Sequence, residues 1–182
     1  MSNTSNFKVA IVGHSQVPDY IQNIPNCQVH IFKKPGAQIK DIYESPELSQ
    51  SFSWGQDLTI LFIGGNDFPV SDGHTVTSEL LNLISEYQTT SKVAVFLIES
   101  REYKPNNRFR VTTDEYKQFQ TYVNNRIKRQ APKRQFRTIN TTRAVFETNR
   151  RDGIHFNTVG QSHIRTKICQ CIERHMSDRS GN

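Results

Sequence analysis

The sequence predicts a three-layer α/β sandwich: a central parallel sheet of about five strands in flavodoxin-like order, with helices on both faces. Three observations predict it. Short apolar, β-branched runs recur along the chain, amphipathic helical patterns separate them, and the connections are long enough for crossovers. Parallel strands need such crossovers and hairpins do not. The 182 residues suit one compact unit over 7–176, with 1–6 and 177–182 as loose ends.

The strands come in order. FKVAIVG (7–13) is a β-branched run long enough for one buried strand, and CQVHIF (27–32) is a second. DLTILFIGG (57–65) is the most apolar segment and the best central strand. KVAVFLIES (92–100) is a fourth and FRTINT (136–141) a weaker fifth. Between them, SELLNLISEY (78–87) places Leu80, Leu81, Ile84 and Tyr87 at helical spacing. TDEYKQFQTYVNNRIKRQ (113–130) opens with a cap and early acids and carries Tyr116, Phe119, Val123 and Ile127 on one stripe. The last helix, 157–176, aligns Ile164, Ile168, Cys171 and Ile172, and a short helix is expected around Ile39–Tyr43.

Composition narrows the function classes. Hydrophobic residues make up 35% and charged residues 22%, which fits a soluble globular chain rather than a disordered one. No window approaches the roughly 18 apolar residues of a membrane span. The polar start MSNTSNFK carries no secretory h-region, so the expectation is an intracellular protein or a domain from a longer chain. Cys27, Cys169 and Cys171 make no disulfide framework. With His163 and His175 they match no familiar zinc spacing, and structural thiols are the expectation.

The formal net charge is +6, and Arg126, Lys128, Arg129, Lys133, Arg134 and Arg137 fall within twelve residues. Such a cluster suits nucleic acid or an anionic membrane surface. The plainer expectation is the solvated end of a helix, where cations favour the dipole. No aromatic stacking motif or Gly-rich arm accompanies it.

In a parallel sheet, ligands bind beyond the carboxyl ends of the strands. Four segments deliver polar residues there: GHS after the first strand (Ser15), KKPGA after the second (Gly36), GGND after the third (Asn66), and DGIH before the last helix (Asp152 and His155). Taken singly, Ser15 reads as a helix cap near Gln16, Asn66 and Gly36 as turn residues, and His155 as a surface histidine. His30, His74, His163 and His175 read as structural or exposed.

The ordered set resembles the SGNH or GDSL-type hydrolase superfamily, whose namesake Ser, Gly, Asn and His stand in successive blocks. Ser15, Gly36, Asn66 and His155 match those blocks, and Asp152 stands three residues before the histidine, as the final block requires. The resemblance runs from the first strand to the last helix and implies ester or acetyl-group hydrolysis without metal or cofactor. It implies Ser15 as nucleophile, His155 as base and Asp152 as the group orienting the imidazole. The amides of Ser15 and Gly36 and the Asn66 side chain would form the oxyanion hole. A serine hydroxyl needs such a base, and one oxyanion donor contributes about 2.7–4 kcal/mol. Compact members have open sites, which suggests a short acyl group or a lipid or sugar ester. In size, basic balance and lack of a signal, the chain is also similar to esterase domains of some non-LTR retrotransposons.

One residue departs from the pattern. The family carries an acid between the glycine and the nucleophile, where this chain has His14. Adjacent strand-end side chains point to opposite faces, so His14 should point away from the Ser15 hydroxyl. A neutral imidazole can keep hydrogen bonds the carboxylate would accept while removing its charge. Two alternatives follow: a non-catalytic binding module that keeps the fold, and a nucleic-acid-binding domain using the 126–137 cluster.

Overall fold

The computed structural model describes residues 5–141 and 152–181. Among them, five parallel strands form one sheet in the order β2-β1-β3-β4-β5: β1 (Phe7–Gly13), β2 (Cys27–Lys33), β3 (Leu58–Phe62), β4 (Lys92–Phe96) and β5 (Arg137–Ile139). This is the expected flavodoxin-like order. The helices are α1 (Ile39–Glu44), α2 (Pro46–Ser49), α3 (Gly73–Gln88), α4 (Thr113–Arg134) and α5 (Thr158–Ser180).

Strand burial explains the sequence patterns. β3 is buried at every position, as a central strand covered on both faces must be. β2 lies at the edge and alternates between half-buried and exposed positions along most of its length. Register pairs Val9 with Leu58 and Gly13 with Phe62, so β1 and β3 end together. One sheet face packs Ala10, Val12, Leu61 and Val95 against Leu80 and Ile84 of α3 and Val123 and Ile127 of α4. The other packs Ile11, Ile60, Phe62 and Phe96 against Ile164, Ile168 and Ile172 of α5. Each fully buried Val, Leu, Ile or Phe among them contributes about 1.5–3 kcal/mol.

Several boundaries differ from the expectation, each for a local reason. β3 stops at Phe62 because Gly64 turns the chain at φ +112°. β4 stops at Phe96, but the chain stays extended: Leu97 N–H donates to Ile139 O, and Ile98 N–H donates to Asn124 Oδ1 of α4. α3 starts at Gly73, capped by Asp72, whose carboxylate accepts Thr75 N–H at 2.7 Å. α4 begins after Thr112, in a capping box with Glu115, and runs through Pro132 to Arg134. α5 reaches Ser180, so most of the expected loose C-terminal end is helical. Residues 1–4 and 182 of the expected loose ends lie outside the described residues.

No helix follows β1. Residues 14–26, which include Pro18 and Pro25, form turns and irregular chain, and Val17 and Ile24 seal the α5 face of the sheet. The chain leaves β1 for β2 on one side and later returns to place β3 on the other. The strand order therefore reverses between β1 and β3, the kind of switch point at which ligands bind in open α/β sheets.

Candidate active site

Ser15 sits in the turn that ends β1, closed by Val17 N–H donating to His14 O at 3.1 Å. With no helix after it, the capping role has nothing to cap. The turn leaves the sheet tightly: a Cβ on Gly13 would fall 2.0 Å from Phe62 O, so only glycine fits between β1 and β3. Ser15 is half-buried, while His14 is fully buried. The two neighbours therefore differ in exposure.

Gly36 and Asn66 lie on two loops bound to each other. Lys34-Pro35-Gly36-Ala37 is a turn closed by Ala37 N–H donating to Lys34 O, with Gly36 at φ +74°. Nothing lies within 4 Å of a Cβ built there, so glycine serves conformation rather than space. Asn66 follows Gly64 and Gly65 in a short 3₁₀ turn at the end of β3. Its Nδ2 donates to Ala37 O at 3.1 Å, and its own carbonyl accepts from Gln38 Nε2 at 3.1 Å. Behind it, Asp67 accepts the Ile39 amide at the start of α1.

Asp152 and His155 form a dyad on one short loop. Asp152 Oδ2 lies 2.7 Å from His155 Nδ1, and Oδ1 accepts the amides of Ile154 and His155. Burial opposes the Asp152 charge, yet the His155 ring and those amides hold its carboxyl down to about 2. With Nδ1 committed to Asp152, Nε2 is the ring nitrogen that can take a proton from elsewhere. Gly153 makes the loop possible: its φ is +80°, and a Cβ there would meet Glu102 O at 2.7 Å.

Sequence reasoning missed the residue that joins this loop to Ser15. Gln16 is buried, donates through Nε2 to Ile154 O at 2.6 Å and accepts Phe156 N–H through Oε1 at 3.2 Å. Its amide thus clamps the chain on both sides of His155 to the turn holding Ser15. A buried ion chain was missed as well. Arg101 donates through Nη2 to Asn66 Oδ1 at 3.0 Å and pairs with Glu99 at 2.5 Å. The second Glu99 oxygen faces His14 Nε2 at 3.7 Å. Burial disfavours the Glu99 charge, but Arg101 and His14 outweigh it and hold the carboxyl far below the usual range. His14 Nδ1 accepts the Gln16 amide at 3.2 Å, an acceptor role a carboxylate could also fill.

The basic stretch is divided between α4 and β5. Lys128, Arg129, Lys133 and Arg134 are exposed toward the end of α4. Arg126 lies over the Tyr122 ring at 3.3 Å, and Arg137 on β5 pairs with Asp178 at 2.6 Å. Because α4 runs antiparallel to the strands, its basic end lies at the opposite edge of the sheet from Ser15. Four surface cavities of about 260–570 Å³ open elsewhere, and none is lined by Ser15, Asn66 or His155. Cys171 and His175 touch within α5, but among the described residues no three ligating side chains gather as a metal site. None of the described helices is long and apolar enough to cross a membrane.

A parallel α/β sheet with a serine turn, an asparagine and an Asp–His dyad along one carboxyl edge defines the class. The chain belongs to the GDSL-like lipase/acylhydrolase family, whose profile matches residues 4–168. Among curated proteins, none matches the sequence significantly. A GDSL-like lipase from Bacteroides thetaiotaomicron superimposes with a TM-score of 0.72 at 16% identity, covering 93% of this chain and 89% of that one. The acetyl xylan esterase AlAXEase gives 0.68 at 17% identity, covering 90% and 98%. Est24, a carbohydrate acetylesterase from Sinorhizobium meliloti, gives 0.66 at 13% identity, covering 90% and 99%. These likenesses show the fold, and family membership supports a hydrolase function.

Proposed function

We propose that the chain is a serine esterase that removes a short acyl group, with Ser15 as nucleophile, His155 as base and Asp152 as its orienting carboxylate. The observation that carries this reading is the 2.7 Å Asp152–His155 pair, fastened beside Ser15 by the Gln16 amide. His155 Nε2 takes the Ser15 proton as Oγ attacks the ester carbonyl. The imidazolium that forms donates through Nδ1 to Asp152 and returns its proton to the leaving alcohol. Water, deprotonated by the same nitrogen, then releases the acid from the acyl-serine. The second Asn66 N–H and the amides of Ser15 and Gly36 stabilise the tetrahedral oxyanion. The acetylesterases among the structural relatives support a short acyl group.

Fluorophosphonate labelling, with the modified residue located by mass spectrometry, tests this directly. The expected result is a single adduct on Ser15, together with p-nitrophenyl acetate hydrolysis that Ser15→Ala lowers by on the order of 10⁴-fold or more. A folded protein that takes no label, or a Ser15→Ala variant with unchanged turnover, would end the proposal.

A further inference from the structure

The Asn66 side chain raises a problem of polarity. Its amide oxygen and nitrogen have nearly the same shape, and rotation by half a turn exchanges them. With nitrogen toward the substrate, the group donates to an oxyanion. With oxygen there, it repels one. Two neighbours decide between the orientations. Ala37 O can only accept, and it takes one Nδ2 hydrogen at 3.1 Å. The Arg101 guanidinium can only donate, and it holds Oδ1 at 3.0 Å. The second Nδ2 hydrogen is then directed by default.

Holding a guanidinium there has consequences for the interior. Arg101 is only 7% exposed and Glu99 is fully buried, so each charge depends on the other. Glu99 Oε1 accepts from both Arg101 Nε at 2.9 Å and Nη2 at 2.5 Å. The Tyr116 ring lies 5.4 Å from the guanidinium carbon, and its hydroxyl donates to Glu99 O. Gly65 makes room: a Cβ there would stand 2.6 Å from Arg101 Nη2 and 2.7 Å from Glu99 Oε1. The chain ends at His14, the residue before Ser15.

We propose that Arg101, neutralised by Glu99, is a positioning residue that sets the polarity of the Asn66 amide. The inference rests on the esterase reading above. Arg101 touches no reacting atom; it acts through Asn66. Its loss should therefore lower kcat and leave KM nearly unchanged.

The test is a double-variant cycle with p-nitrophenyl acetate. Asn66→Ala is expected to lower kcat by roughly 10²–10³-fold. Arg101→Met should lower it by about 10–100-fold with little change in KM, and the double variant should be no worse than Asn66→Ala. Because Arg101→Met strands a buried carboxylate, the cycle is repeated in a Glu99→Gln background, with thermal unfolding confirming the fold. A folded Arg101→Met protein with undiminished kcat overturns the inference. So does a cost that multiplies in the double variant. Fluorophosphonate labelling of the unaltered protein separates the failures: no adduct at Ser15 removes the esterase reading and this inference with it. An adduct with an additive cycle removes this inference alone.

Discussion

The two halves of the site are held by opposite means. On the Asn66 side, His14, Glu99 and Arg101 are between 0% and 7% exposed, and Glu99 and Arg101 pair through charge. On the His155 side, the dyad side chains are 34% and 45% exposed, and what fixes their loop is a set of neutral amide bonds from Gln16 and Glu102. Buried charges are strong, poorly screened and ruinous to unpair. Exposed ones are screened and add little to stability. The oxyanion side should therefore tie catalysis to folding, while the base side should be catalytically sensitive and thermodynamically cheap.

The largest expected effect lies on the exposed side. In Asp152→Asn the new side-chain amide can donate to His155 Nδ1, leaving the ring proton on Nε2, where a base cannot use it. Turnover should fall by about 10²–10⁴-fold. The Asp152 carboxyl stays ionised down to about 2. The stabilisation from the lowered Asp152 value exists above the ordinary 3.8 and is lost as pH falls toward about 2. At 45% exposure it is screened to below about 1 kcal/mol, so chemical denaturation at pH 7 should barely change. A large stability loss would break the contrast.

His14→Asp probes the buried side. The resemblance to SGNH hydrolases would favour an acid at this position, yet here it would be buried beside Glu99, which now lies 3.7 Å from His14 Nε2. Two buried carboxylates cannot both ionise there, and the folded state should lose about 3–5 kcal/mol, read as a lower urea midpoint. Adding Glu99→Gln should recover part of it. A carboxylate can still accept the Gln16 amide, so the folded fraction should retain turnover. If the acid is tolerated with no shift in midpoint, the charge of the ion chain does not matter to the fold.

The contrast also explains what was legible in the sequence. Ser15, Asn66, Asp152 and His155 follow strand ends or precede a helix in short motifs, and topology alone gathers them on one edge. The sheet was readable because its central strands are continuous apolar runs. Glu99 and Arg101 were hidden because KVAVFLIES reads as a strand, and one acid at its tail looks like a solvated end. Arg101, two residues on, was the available signal: opposite charges after a buried run invite pairing. Gln16 carried no pattern, since its partners are 138 and 140 residues away. The basic stretch looked continuous because helical phase and the passage from α4 to β5 are invisible in one dimension. Arg126 and Arg137 turn to Tyr122 and Asp178, and the exposed remainder lies far from Ser15.

The smallest effect sharpens the contrast through pH. Asp67 sits behind Asn66 on the buried side and is 4% exposed. Burial above all, with Glu79 and Asp41 adding, pushes its carboxyl up to about 7 against the opposing Ile39 amide. A raised folded value means that this group's contribution is fully present below the ordinary 3.8 and is lost as pH rises to about 7. Asparagine can accept the same Ile39 amide without ionising. Asp67→Asn should therefore match the unaltered protein near pH 4 and exceed its stability at pH 8, by up to about 4 kcal/mol. Urea midpoints measured from pH 4 to 8 for both proteins isolate this one group as their difference. Parallel curves would show that Asp67 ionises in the fold at no cost, and the buried half would then be wetter than its geometry implies. Diverging curves would place the Asp67 titration in the stability of the fold.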